Sequence, residues 1–299
     1  MTVPTYRKVV LVALAALYVI VITGALVRLT GSGLGCSDWP RCSEERFIDV
    51  STGHGAIEQL NRLFTGVVAA SVIFAVLGSL RLAQRQRILT SLSLGLVGGV
   101  LAQVVIGGIV VLTGLNPWAN MAHFLVSMVL LANGLVLYRC VAPLETSNGV
   151  SDSAPGFLVG STAVLGLAAV VTGTVVTATG PHAGDENAVR FGFAIHSVAR
   201  VHGSTVVATI AAVAYLLWRS KGRDRQLELS VTKLLALCLL QALVGYVQYL
   251  ADVPAMLVAV HIALAALVWL ALVDVAWLCV SRRLRVVERS GEIRQPSLR

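Results

Sequence analysis

Charge is what this sequence has least of. Only 13% of its 299 residues are Asp, Glu, Lys or Arg, against about 25% in an average soluble domain. With 57% hydrophobic residues, the composition excludes both a water-soluble globular domain and a disordered chain. Five cysteines are too few for a disulfide scaffold, and no short-period repeat supports a fibrous class. Acids are scarcer than bases, 15 against 23, leaving a net charge of +8. A nucleic-acid binder would gather such bases into a stripe with interleaved aromatics. Here they are spread through short connections, so no nucleic-acid partner is expected and the bases read as topology signals.

Long apolar runs are what the sequence does have. A helix needs about 20 mostly apolar residues to cross some 30 Å of hydrocarbon. Eight segments qualify, near 8–30, 56–80, 90–113, 118–139, 156–179, 192–218, 231–251 and 255–280. The first is expected to stay as a span and not be a cleaved signal peptide, because it runs long and no small-residue cleavage site follows. Arg7, Lys8, Arg81, Arg85, Arg87, Arg139, Arg219, Lys221, Arg223, Arg225 and the tail from Arg282 to Arg299 fall on one side. The other side carries mainly Arg28, Arg41, Arg46 and Arg190. The positive-inside rule then makes both termini cytoplasmic and 31–55 and 180–191 the longer outer loops. The expectation is an all-α, multi-pass protein of the cell membrane.

The sequence repeats itself. TGALVRLTGSGLG (Thr23 to Gly35) and TGTVVTATGPHAG (Thr172 to Gly184) share Thr, Gly, Val, Thr, Gly and a final Gly in register. Gln103 and Gly107 match Gln241 and Gly245, and His123 matches His261 at the same offset. Any one match between membrane helices is unremarkable, but three in order indicate duplication. The chain is therefore expected to form two tandem, pseudo-symmetric four-helix bundles, 1–145 and 146–299. The break falls near 143–156, where Pro143, Ser151, Asp152, Ser153 and Pro155 cluster.

Histidines and acids inside a membrane are costly, so their positions carry information. His123, His202 and His261 lie in spans four, six and eight, within the same half of the membrane. A hydrogen bond to a neighbouring helix would account for one such residue. Two on alternate spans at matched depth, His202 and His261, point to a cofactor, and facing histidines in a four-helix bundle suit a haem iron. Zinc or copper fits less well, since no third or fourth ligand lies at that depth. In the first bundle Asn61 stands where His202 stands in the second. Spacings of four and three put His54, Glu58 and Asn61 on one helical face, and Glu58 has only Ala199 opposite it in the other copy. An acid in one copy alone suggests that one bundle reacts while the other holds a permanent cofactor. The plainer account is a helix cap near the interface.

Cys36 and Cys42, in GCSDWPRC, could pair across a Pro-containing turn or remain thiols. Cys140, Cys238 and Cys279 read as packing residues. Asp274 reads as a polar helix contact, and His182 and His196 as solvated loop histidines. Arg28, Arg62, Arg190 and Arg200 lie near one surface, where they could pair with carboxylates such as haem propionates.

RLTGSGLGCSDWPRC (Arg28 to Cys42), Glu58-x-x-Asn61-Arg62, TGPHAGD (Thr179 to Asp185) and the histidine pair resemble the haem A synthase family. The resemblance runs from span one through span eight. It implies an oxidoreductase that converts the C8 methyl of haem O to a formyl group, giving haem A for terminal oxidases. It implies haem b held between His202 and His261, and substrate haem in the first bundle beside Glu58 and His123. It also implies a Cys36–Cys42 disulfide, with haem O synthase, terminal-oxidase assembly and membrane lipid as partners. One departure matters: many members have His where this chain has Asn61. Either His123 alone then ligates the substrate haem, or His54 supplies the missing side. The competing classes are a b-type electron-transfer cytochrome with haem in both bundles, and a haem transporter.

Overall fold

The computed structural model describes residues 1–141 and 156–293. Among them are eight helices and no strand: α1 (Val3–Leu29), α2 (Gly53–Leu80), α3 (Arg87–Leu112), α4 (Pro117–Val141), α5 (Gly156–Thr179), α6 (Ile195–Ser220), α7 (Arg225–Leu250) and α8 (Ala255–Ile293). All eight are long and apolar enough to cross a membrane. The chain is a polytopic all-α membrane protein. The expected boundary at 145/146 and its marker residues from Pro143 to Pro155 lie outside the described residues.

Helix starts follow from local chemistry. The Thr52 hydroxyl accepts the Gly55 N–H at 3.0 Å and starts α2, and the Asp224 carboxylate accepts the N–H groups of Gln226 and Leu227 and starts α7. Each satisfies backbone donors that have no partner within the helix. The α3–α4 and α7–α8 turns share one unusual geometry. Leu115 N–H reaches back to Val110 O at 2.8 Å, and Val253 N–H to Gln248 O at 2.9 Å. Gly114 and Leu115 in one turn, and Asp252 and Val253 in the other, all have φ near +60°. The same offset that relates His123 to His261 relates these turns, so the repeat extends into backbone conformation.

Helices α1–α4 close a ring of neighbours, α1 on α2, α2 on α3, α3 on α4 and α4 on α1, and α5–α8 close a second ring in the same order. The rings meet along α1, α4, α5 and α8. Each has its own apolar core: Tyr6, Val10, Leu96, Leu131 and Leu137 in the first, and Val213, Leu216, Val231 and Leu234 in the second. Leu60, Val67 and Phe74 leave more than half their surface bare along α2. That outward apolar stripe fits lipid, where burial against protein is not needed to remove it from water.

Several polar contacts join the rings. Tyr18 donates to Ala263 O at 3.1 Å, Trp269 Nε1 donates to Met128 O at 2.8 Å, and Arg139 pairs with Asp274 at 2.5 Å. The polar partner expected for Asp274 is thus a full ionic partner on the other ring. At the face bearing the α1–α2 and α5–α6 loops, the two copies of the repeated motif touch. Arg28 Nη2 donates to Thr177 O at 2.6 Å, and Gly33 N–H donates to Gly184 O at 2.9 Å.

Candidate functional site

In the second ring, His202 on α6 and His261 on α8 face each other with ring centroids 6.4 Å apart and planes at 78°. A metal held about 2 Å from one nitrogen of each imidazole would leave the ring centres roughly 6 Å apart. Each imidazole lies against a glycine of the neighbouring helix. A Cβ on Gly173 would come within 3.1 Å of His202 Cε1, and one on Gly245 within 2.8 Å of His261 Cε1. A larger residue at either place would press on the ring, most closely at Gly245. Thr172 Oγ1 lies 3.2 Å from His202 Nδ1, and the Gln241 amide donates to His261 O at 3.0 Å. His261 Nδ1 and Gln241 Oε1 are buried without a hydrogen-bond partner. Two inward imidazoles at metal-sharing distance, cradled by glycines, fit a haem iron.

The first ring repeats this arrangement with one change. His123 on α4 lies against Gly107, whose added Cβ would meet His123 Cε1 at 3.4 Å, and the Gln103 amide donates to His123 O at 3.0 Å. Across the ring, the place of His202 against Gly173 is taken by Asn61 against Gly24, with Nδ2 4.0 Å from an added Cβ. His123 Nδ1, Asn61 Oδ1 and Gln103 Oε1 are buried and unpartnered. The matched pairs Gly24 and Asn61, Gly173 and His202, Gly107 and His123, Gly245 and His261 make one pattern used twice.

Glu58 lies beside this arrangement, in the roots of the α1–α2 loop. It is 5% exposed. Its Oε2 accepts the Cys36 N–H at 2.7 Å, and its Oε1 accepts Arg62 Nε at 3.0 Å and Nη2 at 2.5 Å. Arg62 Nη1 also donates to the carbonyls of Asp38 and Arg41, each at 3.0 Å, and its guanidinium stacks 5.1 Å over Trp39. Trp39 in turn packs on Gly108, next to the glycine beneath His123. Cys36 and Cys42 form a disulfide within this loop. Nearer α2, the Ser51 hydroxyl and N–H hold the Asp49 carboxyl below the usual carboxylate range. Loop, α2 and α3 are thereby fastened together over the first ring.

Several sequence expectations change. Arg62 was a candidate for carboxylates of a bound group, but its partner is Glu58, an i,i+4 pair that the spacing alone could have indicated. Arg28 donates to Thr177 O and Arg190 to the carbonyls of Gly180, Pro181 and Ala188, with Arg28 Nε buried and unpartnered, while Arg200 is exposed. His182 is not simply solvated, because its Nε2–H donates to Val253 O at 2.8 Å. His54 is exposed and bonds Ser32 Oγ at 2.9 Å. It precedes Asn61 by seven residues, about 10 Å along the α2 axis, so it does not stand in Asn61's place.

Residues 7–54 match the family described as cytochrome oxidase assembly protein. The chain is 33% identical over 130 residues to the haem A synthase of Geobacillus kaustophilus, covering 43% of this chain and 40% of that protein. It is 34% identical over 133 residues to that of Geobacillus thermodenitrificans, with the same shares. To that of Lysinibacillus sphaericus it is 31% identical over 134 residues, 44% of each chain. Over these stretches the chain is similar to the haem A synthases. The alignments span about two-fifths of the length of these curated relatives. Within residues 7–54 fall the first copy of the repeated motif and the disulfide loop that Glu58 and Arg62 hold.

Proposed function

We propose that this chain is an oxidoreductase of haem A synthesis, oxidising the C8 methyl of haem O to a formyl group. The observation that carries the reading is a site built twice and altered once: paired histidines in the second ring, His123 opposite Asn61 in the first. Of the pair, His202 and His261 would hold haem b, which supplies one-electron transfer when bound. In the first ring, residues 1–145, His123 would take the iron of substrate haem O, whose apolar tail suits the lipid-facing sides of α2 and α3.

Converting a methyl to a formyl group adds one oxygen from water and releases four protons and four electrons, the electrons leaving through haem b to an oxidant outside this chain. Protons must therefore leave a poorly hydrated place, and Glu58 is a buried acid about one turn from Asn61 on α2. Its carboxylate is held by the Cys36 N–H and Arg62, so Glu58 would act at the junction of loop and ring, moving protons toward the α1–α2 loop. That loop face is read as the outer one, with both termini in the cytoplasm of a cell whose membrane the chain spans eight times. Haem O synthase and terminal-oxidase assembly are the partners this chemistry calls for.

Expression beside a haem O source tests the reading. Pyridine extracts should show a formyl-haem band. In Glu58→Gln, haem b should remain bound while haem O accumulates. Two equivalent b haems and no new pigment would instead identify an electron-transfer cytochrome, and haem flux without a new pigment a transporter.

A further inference from the structure

We propose that substrate haem in the first ring is held by one protein imidazole, with its Asn61 side left open to a small neutral ligand. This rests on the reading that His123 takes the substrate iron. In the second ring both places against the paired glycines Gly173 and Gly245 carry imidazoles, close enough to share a metal. In the first ring the same two places, against Gly24 and Gly107, carry Asn61 and His123. The iron ligands that proteins supply to haem are imidazole, thiolate, thioether and phenolate. A carboxamide is none of these. Asn61 is also shorter than an imidazole, so the exchange removes a ligand and leaves space in the same step.

Three other polar side chains of these helices are engaged elsewhere. His54 shares the α2 face with Asn61 but sits about two turns away and is engaged by Ser32. Glu58 is held by Cys36 and Arg62. Gln103 reaches His123 O and Ser127 with its amide nitrogen and lies on the His123 side. What remains at the open side is the Asn61 amide, whose Oδ1 is buried and unpartnered. An amide so placed offers a hydrogen bond to a small bound molecule and no competing bond to the metal. The second ring, with both sides occupied, would stay closed to such a molecule.

Carbon monoxide on the reduced, haem-loaded full chain is the probe. The haem whose retention depends on His123 should shift its absorption on adding carbon monoxide, and the haem that depends on His202 and His261 should not. Asn61→His should abolish the shift and give the first haem a six-coordinate, low-spin spectrum. Asn61→Ala should keep the shift, because no ligand was lost. Retention of the second-ring haem reports that each variant has folded. A His123-dependent haem that ignores carbon monoxide overturns the proposal while leaving the proposed function standing. So does a carbon monoxide response that first emerges in His54→Ala. If no bound haem depends on His123, the placement of substrate in the first ring falls, and this proposal with it.

Discussion

Glu58 and Arg62, one turn apart on α2, form an ion pair that is almost wholly enclosed, with side chains 7% and 13% exposed. The guanidinium also gathers the Asp38 and Arg41 carbonyls and the Trp39 ring. One pair thus fixes the disulfide loop above the first ring. Arg62→Gln would strand a buried carboxylate, and breaking such a pair from one side costs about 3–5 kcal/mol. Glu58→Gln keeps an acceptor for the Cys36 N–H and should cost less, about 1–3 kcal/mol. Thermal unfolding in detergent should therefore rank Arg62→Gln as the less stable of the two, although Glu58→Gln is the variant expected to stop haem A formation.

Gly245 leaves room for the His261 ring. In a helix interior Gly→Ala is ordinarily favourable by about 1 kcal/mol. Gly245→Ala should instead displace His261 and lower haem retention in the second ring. Gly160→Ala on α5, where an added Cβ meets nothing, should leave the haem spectrum as it is. Equal spectra for the two variants would count against the glycine cradle.

His182 donates to a carbonyl in a turn where Val253, a β-branched residue, adopts a left-handed φ of 58°. β-Branched residues rarely adopt that conformation, so the turn depends on its outside contacts. His182→Ala should loosen it by about 1 kcal/mol. Because α8 begins two residues later and carries His261 in its second turn, the second-ring haem should show a shifted reduction potential. An unchanged potential would confine His182 to loop packing.

Arg139 and Asp274 tie α4 to α8 across the two rings. Reversing either charge alone, as Arg139→Asp or Asp274→Arg, should lower the unfolding temperature, and the double reversal should restore most of the loss. Failure of the double variant to recover would mean that the side chains pack in one orientation only.

The sequence alone determined the eight helices, their order, the repeated motifs and the residues deserving attention. Those properties are local: a run of apolar residues long enough for a bilayer forces a helix, because unpaired backbone groups cannot be left in hydrocarbon. A repeated motif is likewise visible without coordinates, and the Asn61 departure could be found by alignment of the chain with itself. Only the tertiary structure decided the partners. Arg62 meets Glu58, Asp274 meets Arg139, His182 meets the Val253 carbonyl, and His54 stays two turns from Asn61. Except for the Glu58–Arg62 pair and the His54–Asn61 spacing, both local to α2, these relationships join distant stretches of chain or depend on how far a helix is rotated and slid against its neighbours. Apolar periodicity in a membrane helix, greasy on every side, says little about either.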